Sequence, residues 1–92
     1  MTIYSINYDL KKPGHDYDGL YEAIKGCGAW WHYLESTWLV DTALTADGIW
    51  ERVKSHVDGN DRMLIVVVSN PKSGWLPTAA WDWINARLRV AA

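Results

Sequence analysis

The chain has 92 residues, a net charge of −2 and a single cysteine, with seven Trp, five Tyr and no Phe. One domain of this size buries only roughly 60–65% of its unfolded surface, so it gains from association. The acidic balance argues against a broad electrostatic footprint for nucleic acid, and one cysteine excludes an internal disulfide or a Cys-rich zinc site.

The elements follow one another closely, with no repeat, linker or low-complexity segment. Alternating apolar residues in Thr2-Ile3-Tyr4-Ser5-Ile6-Asn7-Tyr8 predict a half-buried strand that ends at Asp9. The turn residues Lys11-Lys12-Pro13-Gly14 come next. Asp16 or Asp18 is placed to cap a helix near residues 17 to 27, with Leu20, Tyr21, Ile24 and Cys27 on one face. Gly26 and Gly28 are expected to stop that helix, glycine being suited to a left-handed cap. Trp30 to Glu35 and Thr37 to Asp41 read as two strands, joined at Ser36 by a tight hairpin or forming one long bent strand.

A second helix is predicted after Thr45 as N-cap, with Leu44 and Ile49 placed for a hydrophobic staple. Ile49, Trp50, Val53 and Val57 form its expected core stripe, and Asp58-Gly59-Asn60-Asp61 ends it. Met63 to Val68 is apolar on both faces, a pattern that fits a strand covered on both sides. The tail, residues 74 to 90, holds a helix with Thr78 as cap and Trp81, Ile84 and Leu88 on one face.

The expected fold is α+β: one ferredoxin-like β-α-β-β-α-β sandwich over residues 1–92, with its core in 2–69 and an extra C-terminal helix. In that topology the strand order is 4-1-3-2 and both crossover helices lie on one face. The fourth strand is then an apolar edge, a liability unless shielded. Either the tail helix or a second subunit must cover it, and a homodimer is the expectation. The longest apolar run, Met63 to Val68, is too short to cross a bilayer. No charged start with an apolar signal core opens the chain. A protein of a reducing, cytoplasmic compartment is expected, without membrane association.

Three segments carry a family resemblance: Tyr8-Asp9-Leu10, Leu20-Tyr21-Glu22-Ala23-Ile24, and Trp30 through Val40. Over roughly residues 2 to 69 the chain resembles the small-subunit family of the CRISPR spacer-integration complex and the VapD-like toxin nucleases. It is similar to their compact SinR-like branch of bacterial and phage proteins. The resemblance implies a ferredoxin-like homodimer in which the aspartate ending the first strand approaches its mate across the dimer axis. Some members use that pair with magnesium to cut RNA or DNA, and others are non-catalytic scaffolds. Two departures stand out. The arginine-rich segment after the first strand is reduced here to Lys11-Lys12. A helix around Thr78 to Arg89 replaces the fifth strand that pairs with the partner.

Asp9 is accordingly the candidate catalytic and metal residue, since magnesium is held by one or two carboxylates and lowers the pKa of a bound water. A cap on the turn that follows is its other role, one that Asp fills well. His15 is the candidate accessory acid or base. His32 reads as a packed or surface residue and His56 as a partner of the helix dipole. Tyr8, Lys11, Lys12, Trp31, Tyr33 and Trp38 are the candidate binding residues for nucleic acid or a protein partner. The aromatics among them could stack bases, although the basic aromatic motif of RNA-binding sheets is missing. Two functions emerge: a non-catalytic homodimeric interaction module, or a magnesium-dependent endonuclease built on two Asp9 residues. A third reading is capture of a small nucleotide at the dimer seam.

Overall fold

The computed structural model describes residues 1–11 and 17–91. Four strands form one antiparallel sheet: β1 (Thr2–Asp9), β2 (Ala29–Leu34), β3 (Thr37–Thr42) and β4 (Arg62–Val67). Helix α1 (Asp18–Lys25) joins β1 to β2, and α2 (Ala46–Val53), extended by a 3₁₀ turn at Lys54–His56, joins β3 to β4. Helix α3 (Thr78–Ala91) follows a loop. The strand order is β2-β3-β1-β4, or β4-β1-β3-β2 read from the other edge. The protein is thus a small α+β fold with both long connections crossing between strands that are not neighbours.

Alternation along the strands sorts side chains onto two faces. Tyr4 and Ile6 of β1 sit opposite Val40 and Trp38 of β3, and all four pack with Leu20 and Ile24 of α1 and Ile49 and Val53 of α2. This larger core holds the fully buried Ile6, Leu20, Ile24, Ile49, Val40 and Val53. On the other face a smaller core joins Ile3, Trp31 and Leu39 of the sheet to Ala80 and Ile84 of α3. An ion pair ties the same helix to β3: Arg87 Nε lies 3.1 Å from Asp41 Oδ2. That contact lacks hydrogen-bond geometry, so it acts through charge alone.

Local expectations hold at several points. Thr45 accepts the Gly48 N–H at 3.0 Å and caps α2. The β2–β3 connection is a tight hairpin through Glu35 and Ser36, with Leu34 opposite Thr37. Other details differ. Asp18 is the first helical residue of α1 and not its cap; Tyr17 stands before it without a side-chain cap, and Asp16 lies outside the described residues. Gly26 keeps a right-handed backbone. Gly28 is required by proximity instead, because a Cβ there would run into the Asp41 carbonyl. Trp50 is 41% exposed and stands off the core stripe of α2. Thr78 lies inside the first turn of α3, where the Pro77 carbonyl accepts the Ala80 N–H at 3.0 Å.

The apolar run of β4 is not covered on both sides. Helix α3 packs over Ile3, Leu39 and Trp31 and leaves Leu64, Val66 and Val67 at 61%, 42% and 56% exposure. The composition of β4 resembles a central strand, yet its place is the edge of the sheet.

Candidate functional site

Asp9 ends β1 directly opposite Arg62 of β4. Its carboxylate pairs with Lys11 Nζ at 2.8 Å, both side chains more than half exposed. An ion pair in water contributes little to stability, but it places a cation on the carboxylate that the sequence marks as a metal ligand. A shallow hollow of about 280 Å³ lies alongside, lined by Asn7, Tyr8, Asp9, Arg62, Met63 and Leu64. Among the described residues no group of three His, Cys, Asp or Glu side chains is gathered closely enough to hold a metal. His15 and Lys12 lie outside the described residues.

The strand end is organised by a residue that sequence reasoning assigned only to a turn. Asp61 is 7% exposed. Its Oδ1 accepts the Lys11 backbone N–H at 2.7 Å and the Tyr17 hydroxyl at 2.9 Å. Its Oδ2 accepts the Asp58 N–H at 2.8 Å and the same Tyr17 hydroxyl at 3.0 Å. Lys11 therefore gives its backbone N–H to Asp61 and only its ammonium to Asp9. One buried carboxylate clamps both ends of the β1–α1 connection to the turn before β4. The partners lie 44 and 50 positions away, so no local pattern reveals them.

The candidate binding aromatics divide between the two faces. Tyr8 and Trp38 belong to the α1–α2 side. The Trp38 indole N–H donates to the Tyr8 hydroxyl at 3.0 Å, and that hydroxyl donates to the Glu35 carbonyl at 3.3 Å. His32 stacks on Trp38 with centroids 3.8 Å apart, and Trp30 tilts against it at 5.2 Å. Trp38 itself is 3% exposed, so Trp30 and His32 form the outer surface of this cluster. Burial pushes the Tyr8 hydroxyl pKa above its ordinary value, against a smaller downward pull from the Trp38 hydrogen bond, with the Tyr21 hydroxyl and the Glu35 carboxylate adding to the rise. Trp31 and Tyr33 point the other way, their rings 5.0 Å apart, with Trp31 buried and Tyr33 open. The four aromatic candidates therefore do not share one surface.

The outer side of β4 is the remaining feature. The Val68 N–H donates to the Ile3 carbonyl at 2.9 Å, marking a hydrogen-bonded pair. Alternation in an antiparallel ladder then turns the backbone groups of Val66, Leu64 and Arg62 toward β1. The Asn7 amide donating to the Leu64 carbonyl at 3.3 Å agrees with that direction. The N–H and C=O groups of Met63, Ile65 and Val67 consequently face outward along an apolar edge.

No protein-family model, curated protein or solved structure matches the chain. Among the described residues no helix is long and apolar enough to cross a membrane.

Proposed function

We propose that this protein is a non-catalytic interaction module of ferredoxin-like topology, joined into a homodimer through β4, that docks a protein partner. The observation that carries this reading is the β4 edge, apolar on both faces and with three residues directing backbone groups outward. Such an edge is a template for another strand. A second β4 placed antiparallel, with Ile65 facing Ile65 across a two-fold axis, satisfies all of them. Met63 then meets Val67, and Leu64 meets Val66. Every cross-strand pair from Met63 to Val67 is apolar, and six backbone hydrogen bonds close the seam.

This arrangement has a consequence for Asp9. With ~3.4 Å per residue along a strand and ~4.8 Å between strands, the two Asp9 α-carbons stand about 25 Å apart. Magnesium–oxygen bonds are only ~2.1 Å long, so an edge-paired dimer and a shared cation on twin Asp9 residues are mutually exclusive. On the α3 side of the joined sheet, Leu64 and Val66 of both copies line the floor between the two α3 helices. That floor is apolar and suits a protein segment better than a phosphate backbone.

Light scattering on a sizing column at micromolar concentration tests the dimer, which has twice the 10.5 kDa chain mass. Val67→Pro removes one outward N–H without touching the β1 ladder, and proline is tolerated there on an edge. The variant is expected to run as a monomer with unchanged circular dichroism. A wild-type monomer, or a variant dimer as tight as wild type, would refute edge pairing. Incubation with labelled RNA and DNA in Mg²⁺, beside Asp9→Asn, tests the enzymatic alternative. No cleavage is expected; cleavage abolished by Asp9→Asn would establish the nuclease reading instead.

A further inference from the structure

Between the sheet and α3, with the loop before that helix, opens a second cleft of about 270 Å³. Much of its wall is apolar, with Leu39 on the sheet, Leu76 on the loop, and Trp81 and Ile84 on α3. Its floor is not. Ser5, Asn7 and Thr37 also line it. Alternation puts all three on the α3 side, because Ser5 and Asn7 follow Ile3 at steps of two and Thr37 precedes Leu39 by two.

These three side chains form one network, and its direction follows from what surrounds it. The Asn7 carboxamide nitrogen lies 3.4 Å from the Ser5 carbonyl and 3.3 Å from the Leu64 carbonyl. A carbonyl only accepts, so the N–H₂ group must face the two of them. The carboxamide oxygen then faces the hydroxyls of Ser5 and Thr37, at 3.2 and 3.0 Å. That oxygen carries no proton, so both hydroxyls donate to it. A hydroxyl has one proton to give and lone pairs to spare. With the proton committed, each of the two oxygens is left as an acceptor. The floor therefore holds two acceptors close to one carboxamide oxygen and no spare donor of its own.

Charge narrows the occupant further. Lys72 is the one charged residue among the described lining, and its ammonium, 2.6 Å from Asn70 Oδ1, opposes a cation. A floor that only accepts opposes an anion. A neutral molecule that donates satisfies both conditions. The volume is at the small end of ligand sites, which limits the occupant to one or two rings.

We infer that this cleft is a binding site for a neutral aromatic molecule of one or two rings that carries a single N–H or O–H donor. The donor meets the Ser5 and Thr37 hydroxyl oxygens, and the ring packs among Leu39, Leu76, Trp81 and Ile84. Trp81 adds an offset or edge-on ring contact to the apolar ones. The site lies within one protomer and does not depend on the dimer.

Indole is a suitable probe, with 1-methylindole as the control that keeps the rings and lacks the donor. The readout is a ¹H–¹⁵N spectrum followed at the Ser5, Thr37 and Leu76 amides. Indole is expected to shift these signals saturably and to bind roughly fivefold tighter than 1-methylindole, the worth of one neutral hydrogen bond. The double variant Ser5→Ala, Thr37→Val is expected to lose that fivefold for indole and to hold 1-methylindole as wild type does, which separates a lost acceptor from a changed shape. Thr37→Ser keeps the oxygen and should bind indole like wild type. Absence of a saturable shift at millimolar indole, equal affinity for the two indoles, or wild-type indole affinity in the double variant would each overturn the assignment. The comparison of the two indoles on the wild-type chain decides the matter even where the double variant fails to fold.

Discussion

Replacing Asp61 tests how the β1 end is held. Asp61→Ala deprives the backbone N–H groups of Lys11 and Asp58 and the hydroxyl of Tyr17 of their shared acceptor. A hydrogen bond to a charged group is worth ~1.5–3 kcal/mol. The two backbone groups are only part-buried, so water recovers some of their loss, whereas the Tyr17 hydroxyl is buried. The sum comes to about 3–5 kcal/mol, against a total stability of about 5–14 kcal/mol for a chain of this length. Asp61→Asn keeps one acceptor oxygen but sets an N–H₂ group against a donor, at a cost of about 1–3 kcal/mol. At ~4–8 °C per kcal/mol, the Asn variant should melt roughly 5–20 °C below wild type. Urea unfolding followed by tryptophan fluorescence gives the free energies. Tyr17→Phe and the double variant close a cycle that isolates the carboxylate–phenol term. An Asp61→Ala loss under about 1 kcal/mol, with an unchanged denaturant slope, would show that the clamp is not what holds this end of the fold.

Gly28→Ala should destabilise by about 2 kcal/mol or more, because the group its Cβ would meet is the Asp41 backbone carbonyl, which cannot swing aside; thermal melts measure it. Burial raises the Tyr8 pKa, so the folded state holds that proton longer than the unfolded state as pH rises. The Tyr8 contribution to stability is full below about pH 10 and is lost as pH climbs through the higher folded value. Chemical unfolding at pH 8 and pH 11 should show a smaller alkaline loss in Tyr8→Phe. Burial likewise raises the Cys27 thiol, against a weaker lowering by Arg52, and the thiol is buried and donates to the Ala23 carbonyl at 3.4 Å. Iodoacetamide at pH 8 should label it at least tenfold more slowly in the native protein than in urea; equal rates would contradict its burial.

Much of the fold was legible because its signals are local. Alternation marks β1 and β3, and the Thr45 cap marks α2 to the residue. Trp50 was misplaced because it follows Ile49 by one position, a turn of about 100° around the helix, and only Ile49 and Val53 keep to the inner face. For β4 the expected strand order gave the edge position that is observed, but its apolar composition suggested cover on both faces that Leu64, Val66 and Val67 do not have, since apolarity reports what a strand avoids and not which neighbours it has. The candidate site was less legible. Asp9 was identifiable at the end of a strand, but its closeness to Arg62 and the clamp at Asp61 depend on pairings across most of the chain. Trp31 could be assigned to one face by parity with Trp30.

Because α3 rests on its own small cluster while α1 and α2 share the larger one, the fold has two units of unequal strength. Hydrogen exchange should show the amides of α3 opening well before those of β1 and β3, in a subglobal event that leaves the rest intact. Each such excursion would uncover the sheet face that α3 covers, baring Ile3, Trp31 and Leu39 while the larger core stays closed.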